Sequence, residues 1–225
     1  PLFLQGDSKI HFENISELSK YDFKAPDEIK ELDDALMRLS KQAVLHISEI
    51  YEFAKIIKYF SYLKKQKFEG RLGEWIAKVE IPEAMSQMAN SFDENGEFSD
   101  SVDERFYAIK QAFSEKKRQI DAELKKLIYS KHITPYLVDT QTHYINSQEA
   151  LLVRGGFNHA LKGTVIARSS GGYFYVAPAS TERLKKEQSE LLDRKEEIIF
   201  EHCKKFSLQM SKSLLFLKFI NNAFD

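Results

Sequence analysis

The chain has 225 residues, 43% of them hydrophobic, with 33 Lys+Arg set against 34 Asp+Glu. That balance argues against an overall polyanion-binding charge, and against a disordered chain, whose mark is high net charge with few aromatics. One cysteine excludes a disulfide framework or a cysteine zinc cluster, and no apolar run approaches the roughly 18 residues of a membrane span.

No signal-like leader is visible, so the expected compartment is cytoplasmic. The sequence opens on Pro1, which suggests a piece of a longer protein. Nine glycines, five prolines and 30% charged residues make the composition of long helices. Charge is unevenly divided: residues 1–112 carry 15 Lys+Arg and 21 Asp+Glu, whereas 113–225 carry 18 and 13. Either surface charge has segregated by chance, or the C-terminal half meets phosphate.

In chain order, Pro26 with Asp27 and Glu28 predicts a first helix, continued by Ile29, Leu32, Leu36 and Leu39 at helical spacing. A second is expected from about Val44 to Lys64, and two short ones around Trp75 and after Pro82. Ser101 and Glu104 have capping-box spacing, which predicts a long helix from Ser101 to about Lys131. Between His143 and Pro178 the period changes, and 151–154, 164–168 and 173–177 read as strands, with Ser170-Gly171-Gly172 as a hairpin turn. Ser180 then caps a second long helix expected to reach nearly to Ala223, since no Pro or Gly interrupts it. The expected fold is mainly α: a helical core, two long antiparallel lever helices, and a small antiparallel β insert at their tip. Residues 1–100 would form the core and 101–225 the levers, with the insert at about 135–180.

No active site is visible. The order of glycines and lysine from Gly155 to Gly163 is wrong for a phosphate loop, and the six histidines lack metal-binding spacing. Cys203 follows His202 directly, and such neighbours do not face each other on a helix. Neither a catalytic group nor a cofactor or metal site is expected in these residues.

The basic residues are more informative. Lys116, Lys117, Arg118, Lys125, Lys126 and Lys131 fall on the first long helix, Arg154, Lys162 and Arg168 in the insert, and Arg183, Lys185 and Lys186 on the returning helix. As a surface they suit nucleic-acid phosphates, a contact that needs positive charge within reach and carries no sequence information. Interleaved acids would draw some of them into i,i+4 pairs instead.

Several stretches resemble the second bacterial MutS family, the MutS paralogues associated with recombination suppression. Phe92-Asp93-Glu94-Asn95-Gly96-Glu97-Phe98-Ser99-Asp100-Ser101 is similar to the family's D-x-x-G-x-V-x-D-x-A-S run before a long helix. Leu151-Leu152-Val153-Arg154 resembles its V-L-P-V-K strand, and Gly163-Thr164-Val165 its G-I-V. The stretch from Ser169 to Pro178 resembles S-S-S-G-x-T-x-F-I-E-P, although Ala177 replaces the glutamate before the proline. Lys185 and Lys186 stand where the family usually has two asparagines. The resemblance covers about residues 30–220.

It implies a core and lever region whose ATPase domain, using ATP and Mg, and small MutS-related nuclease domain would follow Asp225. It further implies a homodimer that grips branched DNA and suppresses recombination. The alternatives are a ribosome-binding factor acting on collided ribosomes, where the gripped partner includes rRNA, and a non-catalytic helical adaptor.

Overall fold

The computed structural model describes residues 28–223 apart from Lys67 and Ser147, together with Ser16, Ser19, Tyr21 and residues 24–26. The helices are α1 (Asp33–Ser40), α2 (Ile47–Lys65), α3 (Gly70–Lys78), α4 (Glu83–Ala89), α5 (Glu104–Ile128), α6 (Ala179–Lys212) and α7 (Leu214–Asn222). Between α5 and α6 lie a 3-10 turn (Thr134–Tyr136) and four strands: β1 (Leu137–Ile145), β2 (Gln148–Val153), β3 (Gly163–Arg168) and β4 (Phe174–Pro178). The chain divides into two compact units, one made of residues up to Val102 and from Ile198 onward, the other of Asp103–Glu197.

In the helical unit, α2 runs through the centre and buries Ile50, Phe53, Ala54, Ile56, Ile57 and Phe60. Glu49 accepts the His46 backbone N–H at its start (2.9 Å), and Lys64 and Lys65 complement the dipole at its end. Around it lie Leu36 and Leu39 of α1, Met85 and Met88 of α4, Phe206 and Met210 of α6, and Leu217 and Ile220 of α7, all buried. The helix expected at Pro26 does not form; α1 begins at Asp33, and Asp27 lies outside the described residues. Side chains of α2 capture that stretch instead. Lys55 donates to the Glu28 carbonyl (2.7 Å), Tyr59 to the Lys24 carbonyl (3.1 Å), and Glu52 accepts the Lys30 N–H (3.3 Å).

In the second unit, α5 starts at Glu104, two residues later than a Ser101 cap would set it. Asp103 is the cap: its carboxylate accepts the Arg105 N–H at 2.9 Å and also pairs with the Arg105 guanidinium. The sheet is antiparallel throughout, in the order β1-β2-β4-β3. Leu151 and Val153 of β2, Val176 of β4 and Leu137 of β1 pack with Ile120, Leu124 and Ile128 of α5, and Leu184 of α6 lies against the same cluster. Each of the buried members of this cluster contributes about 1.5–3 kcal/mol, and Leu184, only half-buried, less.

This arrangement overturns the expected mainly-α fold of two long antiparallel lever helices with a small β insert at their tip. The described chain is mixed, with seven α-helices and a four-stranded antiparallel sheet that owns a hydrophobic core. Two features account for the difference. Strand β1 escapes the sequence pattern, because Asp139-Thr140-Gln141-Thr142-His143 offers no apolar alternation; it is an edge strand that buries only Leu137. The last helix also breaks at Ser213, between α6 and α7, without a Gly or Pro to announce it. Among the described residues, no helix is long and apolar enough to cross a membrane.

Candidate nucleic-acid interface

All twelve predicted basic residues fall in the sheet-bearing unit. Their distribution there is uneven. Residues 124–186, which hold the sheet and the adjoining helix ends, carry nine Lys+Arg and three Asp+Glu.

Five of the twelve are tied to carboxylates. Lys116 of α5 bridges to Glu187 of α6 at 2.6 Å, and Arg183 reaches the same carboxylate at 2.9 Å. These two cations hold the Glu187 carboxyl below its ordinary range, Lys116 first. Arg118 pairs with Glu115 at 2.5 Å and Lys126 more loosely with Glu123 at 3.9 Å. Lys185 meets both the carboxylate and the backbone carbonyl of Glu149, each at 3.1 Å, which ties α6 to the β1–β2 hairpin. Lys185 thereby packs the unit together. The exposed residues Lys117, Lys125, Lys131, Lys162 and Lys186 have no ion pair among the described residues.

The remaining two arginines stand at one rim of the sheet. Leu137, Val153, Phe174 and Arg168 are register partners across the four strands, so the loops just beyond them converge. Arg154 follows β2; its backbone N–H donates to the Tyr136 carbonyl (2.9 Å) and its Nε to the Leu137 carbonyl (3.0 Å). Arg168 ends β3 with its guanidinium 5.3 Å from the Phe174 ring centre. Lys131 and His132, both exposed, lie on the turn that leads into the same rim from α5.

Three aromatic side chains that the basic pattern does not single out share this rim. Tyr129 is 76% exposed, Phe157 43% and Tyr173 39%. The sequence does carry a signal, since Gly155-Gly156-Phe157 and Gly171-Gly172-Tyr173 repeat a diglycine before an aromatic. The two loops abut: a Cβ on Gly155 would lie 3.1 Å from the Gly172 carbonyl oxygen. Gly172 has φ +80°, a left-handed conformation that glycine adopts without steric cost.

Lys162, Arg183, Lys185 and Lys186 sit at the opposite rim, where Ala179 at the head of α6 donates to the Lys162 carbonyl (2.9 Å). An open groove of about 660 Å³ lies there, lined by Tyr144, Glu149, Thr164, Glu182, Lys185 and Leu192 among others. His143 is engaged elsewhere, 3.0 Å from Asp139 and edge-on to Tyr175.

No protein-family model matches the chain. It is 31% identical to the Endonuclease MutS2 of Helicobacter pylori strain J99 over 229 aligned residues, which take in 99% of this chain. The Endonuclease MutS2 of Helicobacter pylori strain 26695 is 30% identical over the same span. The chain is thus similar to MutS2 proteins along nearly its whole length. It spans about 30% of the length of these MutS2 proteins. Among the described residues no group of His, Cys, Asp and Glu is arranged to hold a metal ion, and the sequence has no phosphate loop for a nucleotide.

Proposed function

We propose that this chain is a nucleic-acid-gripping part of a MutS2-type protein, and that its target is branched DNA. The observation that carries the reading is the excess of nine cations over three acids in residues 124–186, where carboxylates tie few of the cations. These cations occupy both rims of the sheet. Strands of five or six residues set the rims roughly 17 Å apart, at about 3.3 Å per residue. Phosphates from two neighbouring backbones are thus within reach at once, as they are where duplex arms meet. Each contact releases condensed counterions, which drives association and makes it salt-dependent.

In this reading the chain binds and makes or breaks no bond. ATP and Mg, dimerisation and any nuclease chemistry belong to parts of the protein outside these residues. Holding a junction closed to other factors is the route by which it would suppress recombination.

The test is fluorescence anisotropy of the 225-residue chain on a labelled four-way junction and on a linear duplex of matched sequence. Tighter binding to the junction, lost at high salt, is the expected result; equal affinity for the two would refute junction preference. Co-sedimentation with ribosomes decides whether ribosomal RNA competes as the target, and a stronger salt-sensitive association there would displace DNA from the reading.

A further inference from the structure

We infer that the paired diglycine loops form a stacking platform for unpaired nucleotides, with Phe157 and Tyr173 receiving base faces and Arg154 and Arg168 receiving phosphates. The inference deepens the nucleic-acid reading above and rests on it. It assigns single-stranded segments, such as those exposed at a branch, as the substrate class of this rim.

Single exposed aromatics are ordinary on protein surfaces. Here the two occur together, on loops so close that a Cβ added at Gly155 would lie 3.1 Å from the Gly172 carbonyl oxygen. Each follows two glycines, and each loop opens with an exposed arginine. Both loops are ordered by their own hydrogen bonds. Phe157 donates its N–H to the Arg154 carbonyl (3.1 Å) and accepts from Ala160 (2.9 Å), while Ser169 and Tyr173 close the other loop (2.9 Å).

Tyr136 backs the Phe157 ring, with centroids 5.2 Å apart and planes inclined by 32°. A ring held from behind and open in front loses little freedom when a base lies on it. Stacking of bases on aromatic side chains beside a positively charged track is how proteins bind single strands without reading sequence. A duplex keeps its base faces covered, so the platform has purchase only on unpaired nucleotides.

The experiment uses the 225-residue chain and three fluorescent probes: a blunt duplex of two annealed strands, the same duplex with a single-stranded dT tail, and its counterpart with an rU tail. The wild type is expected to bind tailed probes more tightly than the blunt one. Phe157→Leu with Tyr173→Leu, which keeps apolar bulk but removes the rings, should weaken tailed binding at least about fivefold. It should leave blunt-duplex affinity and the salt slope unchanged, and 2-aminopurine in the tail should lose its binding-induced quenching.

Arg154→Gln with Arg168→Gln should weaken binding to every probe. A tail that brings no gain, or ring variants that weaken blunt and tailed probes alike, would overturn the platform. If only the arginine variant acts, stacking fails while phosphate contact stands; if no probe binds at all, both readings fail together. Preference for dT or for rU, once the ring dependence holds, identifies DNA or RNA as the source of the strand.

Discussion

The division of cations into carboxylate-bound and unbound ones makes a quantitative prediction about salt. Lys131, Arg154 and Arg168 are exposed at one rim and have no carboxylate partner among the described residues. If each meets a phosphate, replacing all three with Gln removes three contacts. At about 0.9 per contact, the slope of log K against log salt flattens by roughly 2.7. Between about 50 and 200 mM salt, the wild type then loses roughly 40-fold more affinity than the triple variant.

The control is Lys116→Gln with Arg183→Gln. Both cations are spent on Glu187, so their removal should alter the slope by less than one contact's worth. Anisotropy of a labelled four-way junction, titrated at several salt concentrations, supplies the slopes, and circular dichroism verifies that each variant is folded. Equal flattening by the two sets would show that salt-bridge partnership does not decide which cations meet phosphate. An unchanged slope in the triple variant would remove this rim from the interface.

Three further outcomes test the fold beneath the site. Gly163→Ala should destabilise the sheet-bearing unit by about 1–3 kcal/mol in denaturant melts followed by circular dichroism, because its Cβ would collide with the Ala177 carbonyl of the paired strand. Ser207→Ala should cost about 1–3 kcal/mol, since the Ser207 hydroxyl accepts the buried Leu45 N–H at 2.9 Å and its loss leaves that donor unsatisfied; Trp75 fluorescence reports on the same unit. Glu187→Gln should leave a small stability deficit at neutral pH. Because Lys116 and Arg183 lower the Glu187 pKa, the contribution is complete above the ordinary glutamate range and lost as pH falls through the lowered folded value. The gap between wild type and variant in thermal melts should therefore close in acid.

Helical periodicity makes α2 legible, since Ile50, Ile57 and Phe60 recur on one face, and the Ser170-Gly171-Gly172 turn announces the β3–β4 hairpin. The strand order is not legible. Placing β4 between β2 and β3 depends on pairings such as Leu151 with Val176, which local patterns do not encode. The head of α1 misleads a local reading because the fate of Pro26 is set by Lys55 and Tyr59 of another helix. For the interface, residue type identifies the cations but not their partners. Lys116 and Glu187 lie far apart in sequence, and only the packing of α5 with α6 brings them together. The aromatic loops carry a readable signal in the repeated diglycine, but it is separated from the basic runs on which the charge reading rests.

Compensation by neighbours, rather than net charge, determines where a polyanion settles. A cation held by a carboxylate has little counterion density to release, and an uncompensated acid repels phosphate over about a Debye length. Residues 187–197 of α6 carry five Asp+Glu against two Lys+Arg, whereas the sheet and adjoining helix ends have the opposite excess. In the proposed interface, the acidic turns of α6 would act as a boundary: they would disfavour a backbone lying along that part of the helix and confine it to the sheet. On that account the acids are part of the specificity of the surface. Removing those that hold no cation among the described residues, such as Asp193, should broaden binding toward plain duplex and raise its affinity, whereas a surface defined by its cations alone would not respond.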